Sequence, residues 1–340
     1  MGVFLQGQGS RRARGTAGAV ELVQHVLEAI ERPVEIVARD DQGRRQANDR
    51  AVRLLGEHTF LQQSFAGVAR ARDRGIDIGA DPQAAAAQWQ GLHAALRQSG
   101  AAVETVVPHE GLPDLVFTAN AAVVLDGKAL LARFRHPERQ REEAHFEAAF
   151  RSLQAHGLVD TVRKLPDDVV LEGAGDCVWD ETRKLFWMGH GPRSDAAARH
   201  AVADMFGQDV VALELADARF YHMDTALSAL PRGEVMYLPD AFTKAGRAAI
   251  RQRVAPDQRI EIGSRDGGRL AANAVCLGDA VVMSGCGERL RAELAERGYR
   301  AVTTPLPSFL RSGGSAFCLT LRLDRHSVPA AAMSERAAVA

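Results

Sequence analysis

Residues 171–206 run LEGAGDCVWDETRKLFWMGHGPRSDAAARHAVADMF, and the reading of this stretch decides the fold. Apolar runs rich in β-favouring residues flank a short polar turn at 180–183, so the pattern predicts a hairpin. A helical periodicity follows over 194–206. The same order of events recurs along the chain. Apolar runs flank polar turns at Asp126-Gly127, Arg232-Gly233 and Gly278-Asp279, and helical patterns cover 139–156, 244–253 and 287–297. A strand over 299–304 closes the last unit. The hairpins return at intervals of roughly 45 to 55 residues, a period at which repeat architectures are expected. Ahead of them, 82–98 reads as a helix stopped by Gly100, and 101–107 as a strand. Two α/β architectures fit: hairpin–helix–strand units around a central axis with helices outside, or an ordinary mixed sheet. Neither needs a second domain.

The repeats occupy 56–326. Residues 1–55 read as an amino-terminal extension, partly unordered, with an amphipathic pattern over 20–30 and a polar stretch over 39–50. Residues 327–340 read as a tail. The first twenty residues contain Arg11, Arg12 and Arg14 and no acid, a composition that can mimic a transit peptide. Arginine outnumbers lysine throughout, however, and a cytoplasmic protein is the expectation.

The formal net charge of −1 gives no reason to expect nucleic acid or an anionic membrane as partner. No apolar run approaches the roughly 20 residues that span a bilayer. Four widely spaced cysteines, Cys177, Cys276, Cys286 and Cys318, contain no CxxC pair, which argues against a zinc ribbon or a disulfide scaffold. The histidines are equally scattered, so neither metal nor cofactor is expected.

Several residues could carry chemistry. Cys318 follows a glycine-rich bend, Arg311-Ser312-Gly313-Gly314-Ser315, that can hold a thiol at a cleft mouth. Such a thiol becomes a nucleophile when a cation, including a bound substrate, favours its ionisation. A buried structural cysteine is the alternative. In Phe220-Tyr221-His222-Met223-Asp224, a strand would point His222 and Asp224 to one face and pair a proton carrier with a carboxylate. Glu172 and Asp176 bracket small residues in a loop where carboxylates can converge on a cation; a solvated acidic turn is the alternative. Asp114 and Asn120 sit at a turn-to-strand junction. Arg133, Arg135 and Arg193 lie just beyond apolar strands, where an arginine can grip a carboxylate with two hydrogen bonds. Together these residues suit a substrate with a cationic head and an anionic tail.

The ordered segments PDLVFTAN, LEGAGD, GHGPRSD, FYHMDT and RSGGSAFCLTL, spread over residues from about 80 to 324, resemble those of the guanidino-modifying (pentein) superfamily. That group includes arginine deiminase, dimethylarginine dimethylaminohydrolase, arginine dihydrolase and the amidinotransferases. The resemblance implies a five-bladed pseudo-symmetric α/β propeller. It also implies a covalent amidino-thioether on Cys318, proton transfer by His222, and Glu172 and Asp224 holding the guanidinium. Arg193 would meet the substrate carboxylate, with Asn120 and Arg135 beside the substrate and Asp114 and Asp176 in support. The implied activity is hydrolysis of a C–N bond in a small guanidino or ureido amino acid, without cofactor; amidino transfer to an amine and a non-catalytic binder of the same fold are the alternatives. A homodimer is compatible with this reading. Three features bear on the resemblance. Asn120 stands where arginine deiminases and dimethylarginine hydrolases usually carry an aspartate, and looks more like the arginine dihydrolase branch. Residues 60–88 lack the Asn-Pro-Trp segment of that branch and read LQQSFAG over 61–67. Ser308 replaces an acid often found ahead of the nucleophile loop.

Overall fold

In a computed structural model, the structure describes the backbone at 52–55 and residues 82–106, 109 and 111–328; side chains of 52–55, 82 and 113 are not described. These all fall within one compact unit, Asp49–Ala340. The expected helix over 20–30, the polar stretch 39–50, the altered segment 61–67 and the end of the tail lie outside the described residues.

The described strands form five small sheets rather than one mixed sheet. Four share one plan, a hairpin whose second strand pairs in parallel with a third strand. They are β3–β5 (Ala122–Leu125, Lys128–Leu131, Thr161–Lys164), β6–β8 (Cys177–Asp180, Leu185–His190, Asp209–Glu214), β9–β11 (Leu227–Ala229, Val235–Tyr237, Arg259–Glu261) and β12–β14 (Val275–Leu277, Ala280–Met283, Arg300–Thr303). In each, a helix joins the second strand to the third: α2 (Glu142–Ala155), α3 (Ala198–Phe206), α4 (Lys244–Arg253) and α5 (Glu288–Glu296). The fifth sheet pairs β1 (Val52–Leu55) in parallel with β2 (Ala101–Glu104), with α1 (Pro82–Gln98) leading into β2. Residues 52–55, read from sequence as the end of the extension, thus pair with the repeat region.

Local chemistry explains these elements. The β3–β4 turn needs two left-handed residues, and Asp126 (φ 52°) and Gly127 (φ 68°) supply them. In the β6–β7 hairpin, Asp180 accepts from the backbone N–H of Arg183 at 2.9 Å and from Trp187 Nε1 at 2.9 Å, fixing the loop to a fully buried indole. Along α1, Ala85, Trp89, Leu92 and Leu96 recur at helical spacing and bury one face. Gly100 (φ 93°) ends that segment. Thr243 caps α4 by accepting from Gly246 N at 3.2 Å.

A helical turn precedes the first strand of each three-stranded sheet: Thr118–Asn120, Gly173–Asp176, Met223–Ala226, and Ser264–Gly267 with its continuation to Asn273. A similar turn holds Cys318. These turns meet closely. Ala119 N donates to the Cys318 carbonyl at 3.2 Å, and Phe317 N to the Asn273 carbonyl at 3.4 Å. Gly173 shows how tight the meeting is. Its φ is +64°, and a Cβ there would lie 2.7 Å from the Ala119 carbonyl oxygen. Gly173→Ala is therefore expected to cost about 2–4 kcal/mol, from left-handed strain plus overpacking. A urea-unfolding midpoint unchanged from the parent would contradict this packing.

Candidate active site

The five turns bring one polar side chain each to the same end of the fold: Asn120, Asp176, Asp224, Asn273 and Cys318, all at most 4% exposed. Glu172, on the turn leading to Asp176, is 0% exposed and His222 is 3% exposed.

Asp176 organises the imidazole. Its Oδ2 lies 3.0 Å from His222 Nδ1 and accepts from Ser194 Oγ at 2.6 Å, while Oδ1 accepts from Met223 N at 3.0 Å. This leaves Nε2 as the working nitrogen. That atom is buried without a hydrogen bond, 3.4 Å from Glu172 Oε2. Burial works against a charged imidazole, but Asp176, then Glu172 and Asp224, outweigh it and raise the His222 pKa.

On the other side, the Cys318 thiol donates to Asp224 Oδ2 at 3.2 Å, and Asn273 Nδ2 lies 3.0 Å from the same sulfur. Burial, then the charge of Asp224, pushes the thiol well above its ordinary range. Burial likewise lifts the Asp224 carboxyl to about 7. Asp224 Oδ1 is also buried without a hydrogen bond. A neutral thiol, an under-partnered carboxylate and a buried Nε2 without a hydrogen bond make a site short of positive charge.

Arg193 meets that shortage in part. Its Nη1 pairs with Glu172 Oε2 at 3.1 Å, while Glu172 Oε1 accepts from Arg135 N at 3.2 Å. The Arg193 guanidinium lies over the Tyr221 ring, 4.8 Å from its centroid. Tyr221 in turn donates to the Gly313 carbonyl at 3.0 Å, tying this arginine to the bend that precedes Cys318.

The structure thus gathers Cys318, His222, Glu172, Asp224, Asp176, Asn120 and Arg193. Two expectations need correction. Residues 222–224 are not a strand: His222 is extended and Asp224 lies within the turn Met223–Ala226. The pair converges because the chain bends there, sending the histidine to Asp176 and the aspartate to Cys318. The Arg135 side chain turns away from Glu172 and Asp224. It is partly exposed, donates to Asp195 Oδ1 at 2.5 Å and to the Arg193 carbonyl at 3.0 Å, and so braces the loop carrying Arg193. Arg133 pairs with Asp167 at 2.7 Å near the surface. Asp114 stands at the edge of the site, its carbonyl accepting from Arg139.

The amide of Asn120 is largely engaged. Nδ2 donates to the Glu172 carbonyl at 3.0 Å, and Oδ1 accepts from Arg139 Nη1 at 3.0 Å. Arg139 is itself buried and clamps Glu142, with Nη2 2.8 Å from Oε2. Sequence reading passed over Arg139, Ser194, Tyr221 and Asn273. For Asn273 a signal existed: Ala272-Asn273-Ala274-Val275 repeats the Ala119-Asn120-Ala121 pattern ahead of a hairpin. Among the described residues, no group of three or more His, Cys, Asp or Glu side chains is arranged to hold a metal ion, and no helix is long and apolar enough to cross a membrane.

The raised Asp224 pKa makes a stability prediction. Folding takes up a proton at this carboxyl between about pH 3.9, its unfolded value, and about 7, so stability falls as pH rises through that window. Asp224→Asn is therefore expected to raise the melting temperature by about 4 °C or more at pH 8 and by about a third as much at pH 5, which lies within the window. Calorimetry at the two pH values checks this; a drop at pH 8 would contradict it.

Comparison with known proteins places the chain among a set of relatives. A family model described as N,N dimethylarginine dimethylhydrolase, eukaryotic, matches residues 69–325. The bifunctional arginine dihydrolase/ornithine cyclodeaminase ArgZ of Synechocystis sp. is 40% identical over 242 residues, covering 71% of this chain and 34% of ArgZ. The chain thus spans about a third of the length of that relative, and likewise 33% of AgrE from Nostoc sp.. The N(G),N(G)-dimethylarginine dimethylaminohydrolase of Mycobacterium tuberculosis is 37% identical over 78% of this chain and 85% of its own length. The N-terminal domain of ArgZ, solved covalently bound to a reaction intermediate, superposes with a TM-score of 0.73 at 36% identity, covering 82% of this chain and 100% of that domain.

Proposed function

The chain belongs to the N,N dimethylarginine dimethylhydrolase family, and from that premise we propose that it is a cysteine-dependent hydrolase of arginine-like guanidino compounds. The observation that carries this reading is one cluster: the Cys318 sulfur 3.2 Å from Asp224, and a Glu172 oxygen 3.4 Å from His222 Nε2. On this reading the propeller of 56–326, joined by strand β1 (Val52–Leu55), is the catalytic domain. The enzyme is cytoplasmic, and its partner is a small amino acid.

A guanidinium carbon is a poor electrophile, and the site compensates by placement. Glu172 and Asp224 hold the planar cation between them, so its nitrogens fix the carbon against the sulfur. Binding that cation also reverses the charge shortage that keeps the thiol neutral. The substrate thereby favours the thiolate that attacks it. The sulfur bonds to the guanidinium carbon, and protonated His222 gives a proton to the departing ammonia or amine. The remaining amidino-thioether is attacked by water, whose proton returns to His222 Nε2. Collapse breaks the C–S bond, leaving a ureido product and the free thiolate. Asp176 holds the ring for both transfers. Asn120 lacks the counter-charge of an aspartate, which suits a site that also accepts a neutral ureido group.

Arg193 meets the α-carboxylate. It now occupies the Glu172 oxygen that the guanidinium needs, so the two cations exchange places as substrate enters.

Two measurements test the reading. Wild type and Cys318→Ser are incubated with arginine, citrulline, methylated arginines and agmatine, with and without glycine. Ammonia or amine release by wild type alone is expected; silence across the panel, or turnover by the Ser variant, removes the proposal. Arg193→Ala is expected to raise KM for arginine roughly 10- to 100-fold, the loss of a charged hydrogen-bond pair, while sparing agmatine, which has no carboxylate. Equal losses on both substrates would remove Arg193 from carboxylate recognition.

A further inference from the structure

Four of the five site turns contribute groups with assigned work; the fourth blade contributes Asn273. We propose that Asn273 is the positioning residue of the nucleophile, its carboxamide clamping Cys318 at both the sulfur and the backbone nitrogen. This rests on the reading of Cys318 as the nucleophile.

The geometry is specific. Asn273 Nδ2 lies 3.0 Å from the Cys318 sulfur, and Asn273 Oδ1 accepts from Cys318 N at 3.1 Å. The Asn273 main-chain carbonyl accepts from Phe317 N at 3.4 Å, so the residue grips the turn at three points. The side chain is 0% exposed, and water does not compete for these bonds. One planar amide joined to both ends of the cysteine leaves the sulfur little freedom about χ1.

The chemistry follows from the donor. A thiol needs no donor, whereas a thiolate buried beside Asp224 does, because it carries charge without water. Asn273 supplies the N–H aimed at the sulfur, and Asp224 is an acceptor that disfavours the anion. The amide thus works in the direction opposite to the carboxylate. A carboxylate at 273 could not do this, since ionised it has no hydrogen to donate. The related residue Asn120 opens the first blade with the same Asn-Ala sequence, yet its amide is spent on the Glu172 carbonyl and Arg139. The blade position supplies the amide, and the neighbours decide what it holds.

The test reads the thiol, not turnover. Carbamidomethylation of Cys318 by iodoacetamide is followed by peptide mass spectrometry between pH 7 and 10 in wild type, Asn273→Asp and Asn273→Ala, with circular dichroism reporting the fold. The rate at pH 8 is expected to fall about 3- to 10-fold in Asn273→Asp, because fewer thiolates form although each is more nucleophilic. Asn273→Ala is expected to fall in the same direction. Should turnover be found, kcat drops in both variants with KM nearly unchanged. Labelling within twofold of wild type in a folded variant overturns the proposal. If neither variant folds, a crystal structure of the wild-type protein decides: an amide nitrogen turned away from the sulfur overturns it, and one within hydrogen-bond reach supports it. A wild type that shows this labelling contrast yet hydrolyses no guanidino compound would defeat the proposed function and leave the role of Asn273 standing.

Discussion

The site depends on charge held out of water. Glu172, Asp176 and Asp224 are each at most 1% exposed, and they face one imidazole and one arginine from the protein. Three acids against two bases leave the cluster short of a cation, and that deficit is costly because burial strengthens every uncompensated charge. The protein bears the cost in two visible ways: the Asp224 carboxyl is lifted to about 7 and the Cys318 thiol is held neutral. A guanidinium between these acids relieves both at once. On the proposed function, this unfavourable burial becomes selectivity for a flat cation, and the thiol stays unreactive toward anything that does not bring positive charge with it.

The pseudo-symmetric fold makes such a concentration of polar groups achievable. Each three-stranded unit enters its hairpin through a helical turn, and the turns of successive units pack against one another at one end. A position that would be one polar residue in an isolated unit becomes one wall of a shared site. Small residues are required where these turns touch. A Cβ at Gly175 would lie 2.2 Å from Asn120 Nδ2, so the LEGAGD segment must present bare backbone to its neighbour. The glycines that looked like a flexible loop in sequence are a packing surface.

The hairpins and long helices were legible because their signals are local. The helix Pro82–Gln98 starts at a proline and stops short of a glycine, and α4 begins at a threonine cap, so their bounds coincide with those read from sequence. The β3–β4 turn announces itself through an Asp-Gly pair. The helical turns were not legible, since three or four residues with no periodicity cannot be told from a loop or a strand end. That is why residues 222–224 read as alternating strand and fold as a bend. Strand β1 was missed for a related reason: four residues, Val52–Leu55, follow a polar stretch, and only pairing with the distant β2 makes them a strand. In the site, the ionisable residues stood out by type, while Asn273 and Arg139 did not, because an amide or an arginine gains meaning only from what it touches.

Asn120 shows how such touching overrides residue type. An aspartate here would pair more strongly with Arg139, yet it would lose the N–H that Nδ2 gives to the Glu172 carbonyl. It would also add a further negative charge beside an already acid-rich cluster. With asparagine, Arg139 remains bound to Glu142 through several hydrogen bonds, and the amide serves as a neutral strut between that buried pair and the turn carrying Glu172. The exchange of aspartate for asparagine is therefore compensated locally: one negative charge is given up, and on the proposed function the carboxylate that would contact the substrate, Glu172, is held through its own backbone carbonyl. On the proposed function, recognition of the cationic head then rests on Glu172 and Asp224, and Asp224, with a buried Oδ1 lacking a hydrogen bond and a carboxyl lifted to about 7, is the acid that most lacks a positive partner.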